Sequence, residues 1–276
     1  MAATGDVTTY DQFVFTDGDE LWDRLHQAHR RFAALLSKTP AKHPVPGSDW
    51  NAGQIATHLL TVVRRYTRRD MSSSAGLGPD AEAVSELNRA EMAAFADLSV
   101  AETLDLLWQE LADLEAQLPR TTDLHQRFPF HAGQDVDVAG WLGNLIGEFL
   151  VHGRDVARSR GKTWLIGSRN AALALNLGVQ AVPGFVSPDA PGDLKLEIRT
   201  PETNSWVLDL VDGELDSRPA EHREWADVKV FTRTEPLLLN QYGRIGIPRM
   251  VTLGAVLVGG RRPWRLGRLP ASFEVP

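Results

Sequence analysis

Cysteine is absent from this 276-residue sequence. The absence excludes disulfide bonds and thiolate-ligated zinc or iron–sulfur sites, so a bound metal ion would need His, Asp, Glu, backbone or water ligands. A reaction that uses a thiol would therefore have to take that thiol from another molecule.

Long apolar runs and an excess of positive charge are also missing. No window has enough uninterrupted apolar residues to span a bilayer, and residues 1–10 lack the basic and apolar parts of a secretion signal. Lys and Arg total 29 against 36 Asp and Glu, a formal net charge of -7, whereas nucleic-acid binders usually carry a basic surface. We therefore expect a cytoplasmic protein that binds neither nucleic acid nor membrane.

The first two thirds of the chain show helical periodicity. Hydrophobic residues make up 43% of the sequence, enough for a sizeable core. Apolar positions recur at helical spacing in six segments, which are 19–37, 51–72, 80–95, 99–118, 136–159 and 168–181. Predicted caps are Asp17 or Asp19 for the first helix and Ser48 or Asp49 for the second. Ser99 and Glu102 form a capping-box pattern before the fourth helix.

The pattern changes after a group of Pro and Gly residues at 183–192, which indicates a domain boundary. Strand-like segments follow at 194–199, 205–211 and 228–232, and Asp212 with Gly213 indicates a tight turn. Residues 235–242 suggest a short helix, and 249–258 are ambiguous between helix and strand. The fold class predicted is α plus α+β, with a helical bundle at 1–185 and a small α+β domain at 190–276.

A possible metal site lies in two of the predicted helices. Glu148 and His152 are four residues apart and therefore project from one helical face, while His58 lies on the second helix. Three protein ligands with one open position are typical of catalytic zinc. This spacing also occurs in ordinary surface pairs, and a single apolar-face histidine is often a hydrogen-bonded core residue. Neighbouring Leu145 and Phe149 favour the metal site, because an unpaired buried carboxylate is costly.

The remaining histidines suggest surface positions. We interpret His26 and His29 as part of a solvated face of the first helix, and we expect the loop histidines to be surface residues, namely His43, His125, His131 and His222. Asp155 follows His152 by three residues and could orient its imidazole. An ion pair with Arg154, Arg158 or Arg160 is the interpretation that we favour for Asp155.

Two segments carry a resemblance to a known family. Residues 44–59 (PVPGSDWNAGQIATHL) and 147–161 (GEFLVHGRDVARSRG) resemble the mycothiol-dependent maleylpyruvate isomerase family of the DinB-like superfamily. The resemblance implies a DinB-like metal-binding bundle followed by a sterol-carrier-like C-terminal domain. It implies that His58, Glu148 and His152 are zinc ligands, with water or a thiolate in the fourth position, and that Trp50 has a packing role.

The resemblance also implies a catalytic arginine and a thiol cofactor. An arginine of the C-terminal domain helps to hold the acidic substrate in that family, and Arg244 resembles it most closely. Arg249 is a rival, and a surface salt bridge is the alternative for both arginines. Mycothiol or another small thiol would add to the cis double bond of maleylpyruvate and leave after rotation, or would remain attached to an electrophile in an S-transfer. A non-catalytic metal- or ligand-binding bundle remains a further alternative.

Overall fold

A computed structural model describes residues 12–274 of the chain. Residues 1–11 and 275–276 lie outside the described residues, and so does the whole segment, 1–10, from which the absence of a secretion signal was inferred. Every helix between residues 12 and 274 is too short or too polar to cross a membrane.

Six helices form the N-terminal part, as predicted. They are α1 (Gly18–Leu36), α2 (Ala52–Thr67), α3 (Ala81–Ala93), α4 (Val100–Gln117), α5 (Val138–Ser159) and α6 (Ser168–Ala181). α5 packs against α1 and α6, and α2 packs against α4. Asp17 caps α1, and Ser99 with Glu102 forms the expected capping box of α4. The apolar periodicity of each helix thus faces its neighbours in the bundle.

The start of α2 differs from the prediction. Asn51, rather than Ser48 or Asp49, is the N-cap, and its side chain accepts a hydrogen bond from the backbone N–H of Gln54 at 3.0 Å. The Gln54 side chain accepts in return from the backbone N–H of Asn51 at 3.0 Å. This reciprocal cap satisfies two otherwise unpaired donors and fixes the first turn of the helix that carries His58.

Two further boundaries differ from the prediction. α2 ends at Thr67, before the predicted residue 72, because the following chain forms a turn in which Asp70 accepts hydrogen bonds from Ser72. The chain between the predicted helices 99–118 and 136–159, for which no element was predicted, contains an antiparallel hairpin of β1 (Arg127–Pro129) and β2 (Asp135–Asp137). Strands of three residues are too short to produce a sequence pattern.

The C-terminal part is a sheet with short helices, which confirms the predicted α plus α+β class. Its strands are β3 (Leu194–Arg199), β4 (Trp206–Val211), β5 (Glu214–Pro219), β6 (Val228–Thr232) and β7 (Val256–Gly259). Their order is β5-β4-β3-β6-β7, and only the β3–β6 pair is parallel among the described pairs of this sheet. The helices are α7 (Thr234–Gln241), α8 (Ile247–Thr252) and α9 (Leu269–Ser272). The ambiguous segment 249–258 is therefore divided between α8 and β7.

The two parts of the molecule share one hydrophobic core. Buried residues of the helices and of the sheet belong to a continuous cluster. Phe13, which precedes α1, lies edge-on to Trp206 of β4 with ring centroids 5.6 Å apart. α7 packs against α6, and this contact brings the chain after α7 close to α5. The domain limits of 1–185 and 190–276 remain a prediction.

Candidate metal centre

The structure brings together the three residues predicted as metal ligands. Nε2 of His58 and Nε2 of His152 each lie 3.3 Å from the same oxygen, Oε2 of Glu148. The exposed fractions of these side chains are 7% for each histidine and 14% for Glu148. α2 supplies one ligand and consecutive turns of α5 supply two, so the contact between these helices builds the site.

The geometry and the donor types fit a divalent cation. One candidate ligand atom from each residue lies within 4.8 Å of the others. Ligand atoms about 2.0–2.1 Å from a tetrahedral zinc ion are separated by roughly 3.3–3.4 Å. In the described part of the chain, Nδ1 of His58 and Nδ1 of His152 are buried without a hydrogen-bond partner. The two imidazoles therefore direct their other nitrogens at one carboxylate, as ligands of a shared ion do.

The electrostatics favour the protonation states that bind metal. Burial lowers the pKa of His58, although the Glu148 carboxylate opposes this change. Burial alone would raise the pKa of Glu148, but hydrogen bonds and charge interactions with His152 and His58 outweigh it and lower the pKa. Neutral imidazole and ionised carboxylate are the forms that coordinate a metal.

Trp50 closes one side of the centre. Its ring centroid lies 4.6 Å from that of His58 and 6.1 Å from that of His152. The indole immediately precedes the Asn51 cap of α2, so the capped turn holds it against both rings. This contact agrees with the packing role expected for Trp50.

Tyr242 is a residue of the site that the sequence analysis did not identify. Its Oη donates a hydrogen bond to Oε1 of Glu148 at 3.2 Å, the oxygen that the histidines do not share. Burial is the main cause that raises the pKa of Tyr242, followed by the nearby Glu148 charge, so the phenol stays protonated and can donate. In the sequence, the feature that could have pointed to Tyr242 is its position two residues before Arg244, the predicted substrate-binding arginine.

Arg244 lies beside the metal helix but contacts Asp155 rather than the three candidate ligands. Its Nε donates to Oδ2 of Asp155 at 2.8 Å, and Nη1 donates to the carbonyl oxygen of Tyr242 at 2.7 Å. The same Oδ2 is 4.0 Å from Nδ1 of His152. The helix neighbours favoured as ion-pair partners of Asp155 were therefore the wrong choice, since the C-terminal part supplies the arginine. The rival Arg249 is exposed on α8.

Three of the other histidines are less exposed than expected. His29 is buried between the rings of Trp108 and Phe149, and His131 is buried against Phe130. His26 is partly buried and contacts Glu115 through Nε2 at 2.8 Å. The solvated interpretation of His29 and the surface interpretation of His131 were wrong, because tertiary contacts cover faces that look polar in the sequence. The remaining loop histidines are exposed or partly exposed, namely His43, His125 and His222.

Two cavities differ in their relation to the centre. A small one, of about 140 Å³, is lined by Pro46, Asp155, Arg158 and Ser159, one turn beyond His152. A larger one, of about 450 Å³, lies between the first turn of α5, α6 and the sheet, and none of the three candidate ligands lines it. The small cavity thus lies nearer to the candidate ligands than the larger one does.

Comparisons with known proteins agree with this architecture. The family profile described as mycothiol maleylpyruvate isomerase N-terminal domain matches residues 22–157. The crystal structure of the mycothiol-dependent maleylpyruvate isomerase has a similar fold, with a TM-score of 0.51 at 14% identity, covering 88% of this chain and 93% of that chain. A histidine-to-alanine mutant of that isomerase has a TM-score of 0.52 at the same identity and coverage, 14%, 88% and 93%. No protein of curated function matches the sequence significantly.

Proposed function

Since the chain belongs to the family of the mycothiol maleylpyruvate isomerase N-terminal domain, we propose that it is a zinc-dependent enzyme that activates a low-molecular-weight thiol, most simply mycothiol. The activated thiol serves S-transfer to, or cis–trans isomerisation of, a small electrophile of the maleylpyruvate type. The observation that carries this proposal is the convergence of two Nε2 atoms on one Glu148 oxygen at 3.3 Å.

The three side chains have distinct tasks in this proposal. His58 and His152 supply neutral nitrogen ligands, and Glu148 supplies the negative charge that offsets the charge of the ion. Zinc bound there would lower the pKa of a thiol that occupies the open position, so that a thiolate is available near neutral pH. Because the chain has no cysteine, the thiol comes from the small molecule.

Arg244 is the proposed binding group for an acidic substrate. Asp155 and the Tyr242 carbonyl hold its Nε and Nη1, which restricts the guanidinium to one orientation. The side chain keeps an exposed fraction of 25%, so a ligand can reach it. A guanidinium with a restricted orientation loses less conformational entropy when it binds a carboxylate.

The two reactions differ in the fate of the thiol. In isomerisation the thiolate sulfur would form a bond to one alkene carbon while the π bond breaks and its electron pair moves onto the conjugated carbonyl. The resulting C–C single bond would rotate, and return of the electron pair would restore the alkene and break the S–C bond, which regenerates the thiolate. In S-transfer the new S–C bond persists, and the thiol is consumed. The same ligands and the same arginine serve both reactions, so the measurement has to follow both the thiol and the alkene.

The test combines metal analysis with an activity assay on the purified protein. We expect about one zinc per chain and thiol-dependent turnover of maleylpyruvate, with mycothiol, bacillithiol and glutathione compared. Cis-to-trans conversion without net loss of thiol identifies an isomerase, and stoichiometric loss with a model electrophile identifies an S-transferase. His222→Ala, at an exposed position of the C-terminal part, is the matched control and should retain both metal and activity.

Two results would contradict the proposal. Absence of bound metal after incubation with zinc would remove the proposed centre. Zinc binding without turnover of either kind would favour the alternative of a non-catalytic metal-binding bundle.

A further inference from the structure

The two oxygens of Glu148 have different partners. Oε2 is 3.3 Å from both imidazole Nε2 atoms, and Oε1 accepts the hydrogen bond of Tyr242 at 3.2 Å. Tyr242 is 94 residues away from Glu148 in the chain and belongs to the C-terminal part. The carboxylate is therefore held between the two parts of the molecule, with one oxygen facing each.

Local features of the chain bring Tyr242 to this position. Tyr242 is the C-cap residue that directly follows α7, and its backbone N–H donates to the Leu238 carbonyl at 3.1 Å. Gly243 adopts a φ of 67°, in the left-handed region that ends helices, and the chain turns back toward α5. On α5, Gly147 leaves room for the phenol, since a Cβ there would lie 2.7 Å from Tyr242 Oη.

The same short segment makes a second contact with α5. Arg244 donates to Asp155 at 2.8 Å, and Asp155 lies 4.0 Å from Nδ1 of His152. Residues 242–244 thus contact Glu148 itself and, two turns further along α5, Asp155 beside His152. Outer groups of this kind commonly fix the orientation of ligands in metal sites.

We propose that Tyr242 is a positioning residue of the metal centre. Its hydroxyl retains Oε1 of Glu148, so Oε2 alone is presented with the imidazoles, and a position stays free for the thiol. This inference rests on the proposed function. It assigns to the C-terminal part a second task besides substrate binding, which is to hold a metal ligand of the helical part.

The test is a comparison of zinc affinity between the wild-type protein and Tyr242→Phe. Competition with a chromophoric chelator measures the affinity, and the expected loss is about 10- to 100-fold. Tyr66→Phe is the matched control, because it removes a phenolic hydroxyl that accepts from Asn144 at 2.9 Å instead of bonding to Glu148. The control should keep wild-type affinity.

A second measurement follows coordination directly. If Oε1 is released in Tyr242→Phe, it can occupy the open position as a second carboxylate ligand. The cobalt-substituted variant should then show weaker visible absorption bands than the cobalt-substituted wild-type protein, since higher coordination weakens these bands. Unchanged spectra together with unchanged zinc affinity would overturn the inference.

Gly147→Ala keeps the inference testable even if the phenylalanine variant folds poorly, and a double-mutant cycle then joins the two substitutions. Gly147→Ala should displace the hydroxyl and lower zinc affinity with Tyr242 still present. In the Tyr242→Phe background the same alanine should cost much less affinity, because the clashing hydroxyl is already gone. Equal losses in both backgrounds would overturn the inference.

The outcomes separate this inference from the proposed function. A wild-type protein that binds no zinc would overturn both. A wild-type protein that binds zinc, with variants of equal affinity, would overturn only the role of Tyr242.

Discussion

Two buried polar clusters that each include a residue of α2 differ in how their polar groups are paired. The candidate metal centre contains His58 of α2. Two turns later Arg65 of α2 begins a second cluster, the Arg65 cluster, which consists of Arg65, Asn88, Glu91 and His131. In the Arg65 cluster, His131 accepts from the Gly78 N–H at 2.9 Å through Nδ1 and contacts Arg65 Nη1 at 3.1 Å through Nε2. Arg65 also donates to Glu91 at 2.6 Å and to Asn88 at 2.7 Å.

The difference lies in which polar groups are satisfied by the protein itself. His131 accepts from the Gly78 N–H, and Arg65 donates to oxygens of Glu91 and Asn88, so the protein itself pairs the charges of the Arg65 cluster. At the candidate metal centre two imidazole Nε2 atoms from different helices instead converge on one oxygen of Glu148. A cation between these three groups would pair the carboxylate charge. Burial of a histidine therefore does not distinguish a candidate binding site from a structural contact, whereas its convergence with other ligand-type side chains does.

Removal of a ligand should produce the largest effect. We expect His58→Ala or His152→Ala to reduce zinc affinity by at least about 1,000-fold, because one of three protein ligands is lost. Metal analysis after dialysis and chelator competition measure the loss. His131→Leu serves as the comparison and should keep wild-type affinity. Full retention of zinc in both alanine variants would show that the centre lies elsewhere.

Disruption of the Arg65 cluster should affect stability rather than metal binding. His131→Leu leaves the Gly78 N–H without its acceptor, at an expected cost of about 1–3 kcal/mol in the free energy of unfolding. Urea unfolding of the metal-free protein measures the change. A cost below about 0.5 kcal/mol, the range of ordinary surface substitutions, would mean that the cluster contributes little to stability.

Acidification should lower the free energy of unfolding through His131 of the same cluster. Burial, followed by the charges of Arg65 and Arg69, lowers the pKa of His131 from 6.5 to about 3. Between pH 6.5 and pH 3 the unfolded chain binds a proton at His131 and the folded chain does not. The free energy of unfolding therefore falls as the pH drops from 6.5 toward 3. The slope from this residue is at most about 1.4 kcal/mol per pH unit. His131→Leu should have a smaller slope in urea unfolding series at pH 7, 6 and 5, and an equal slope would contradict this origin.

His29 provides the smallest and sharpest test of the comparison. It is buried, its pKa is lowered to about 4 mainly by burial, and neither ring nitrogen has a hydrogen-bond partner in the described structure. Among the described residues, the candidate metal cluster consists of His58, Glu148 and His152 and does not include His29. We expect His29→Leu to be neutral or to stabilise the protein by up to about 1 kcal/mol, because a buried polar group without partners is removed. Loss of zinc in this variant would show that the metal centre extends to His29.

Prediction from the sequence worked best where the signal is local. Helices α1 to α7 and three of the strands follow from apolar periodicity and turn residues, and the ends of β3, β6 and α6 agree with the predicted limits. The hairpin before α5 was missed because its strands have three residues each. The buried positions of His29 and His131 were also missed, because their covering residues come from distant parts of the chain.

The sequence by itself determined the helical spacing of Glu148 and His152, the capped helix that carries His58, and the absence of a cysteine. These properties depend on residues within a few positions of one another, so their pattern can be read without the fold. Only the tertiary structure decided that one Glu148 oxygen faces both imidazoles and the other faces Tyr242, and that Asp155 pairs with Arg244. Contacts across about ninety residues depend on how α2, α5 and the chain after α7 pack, and packing is a property of the whole molecule.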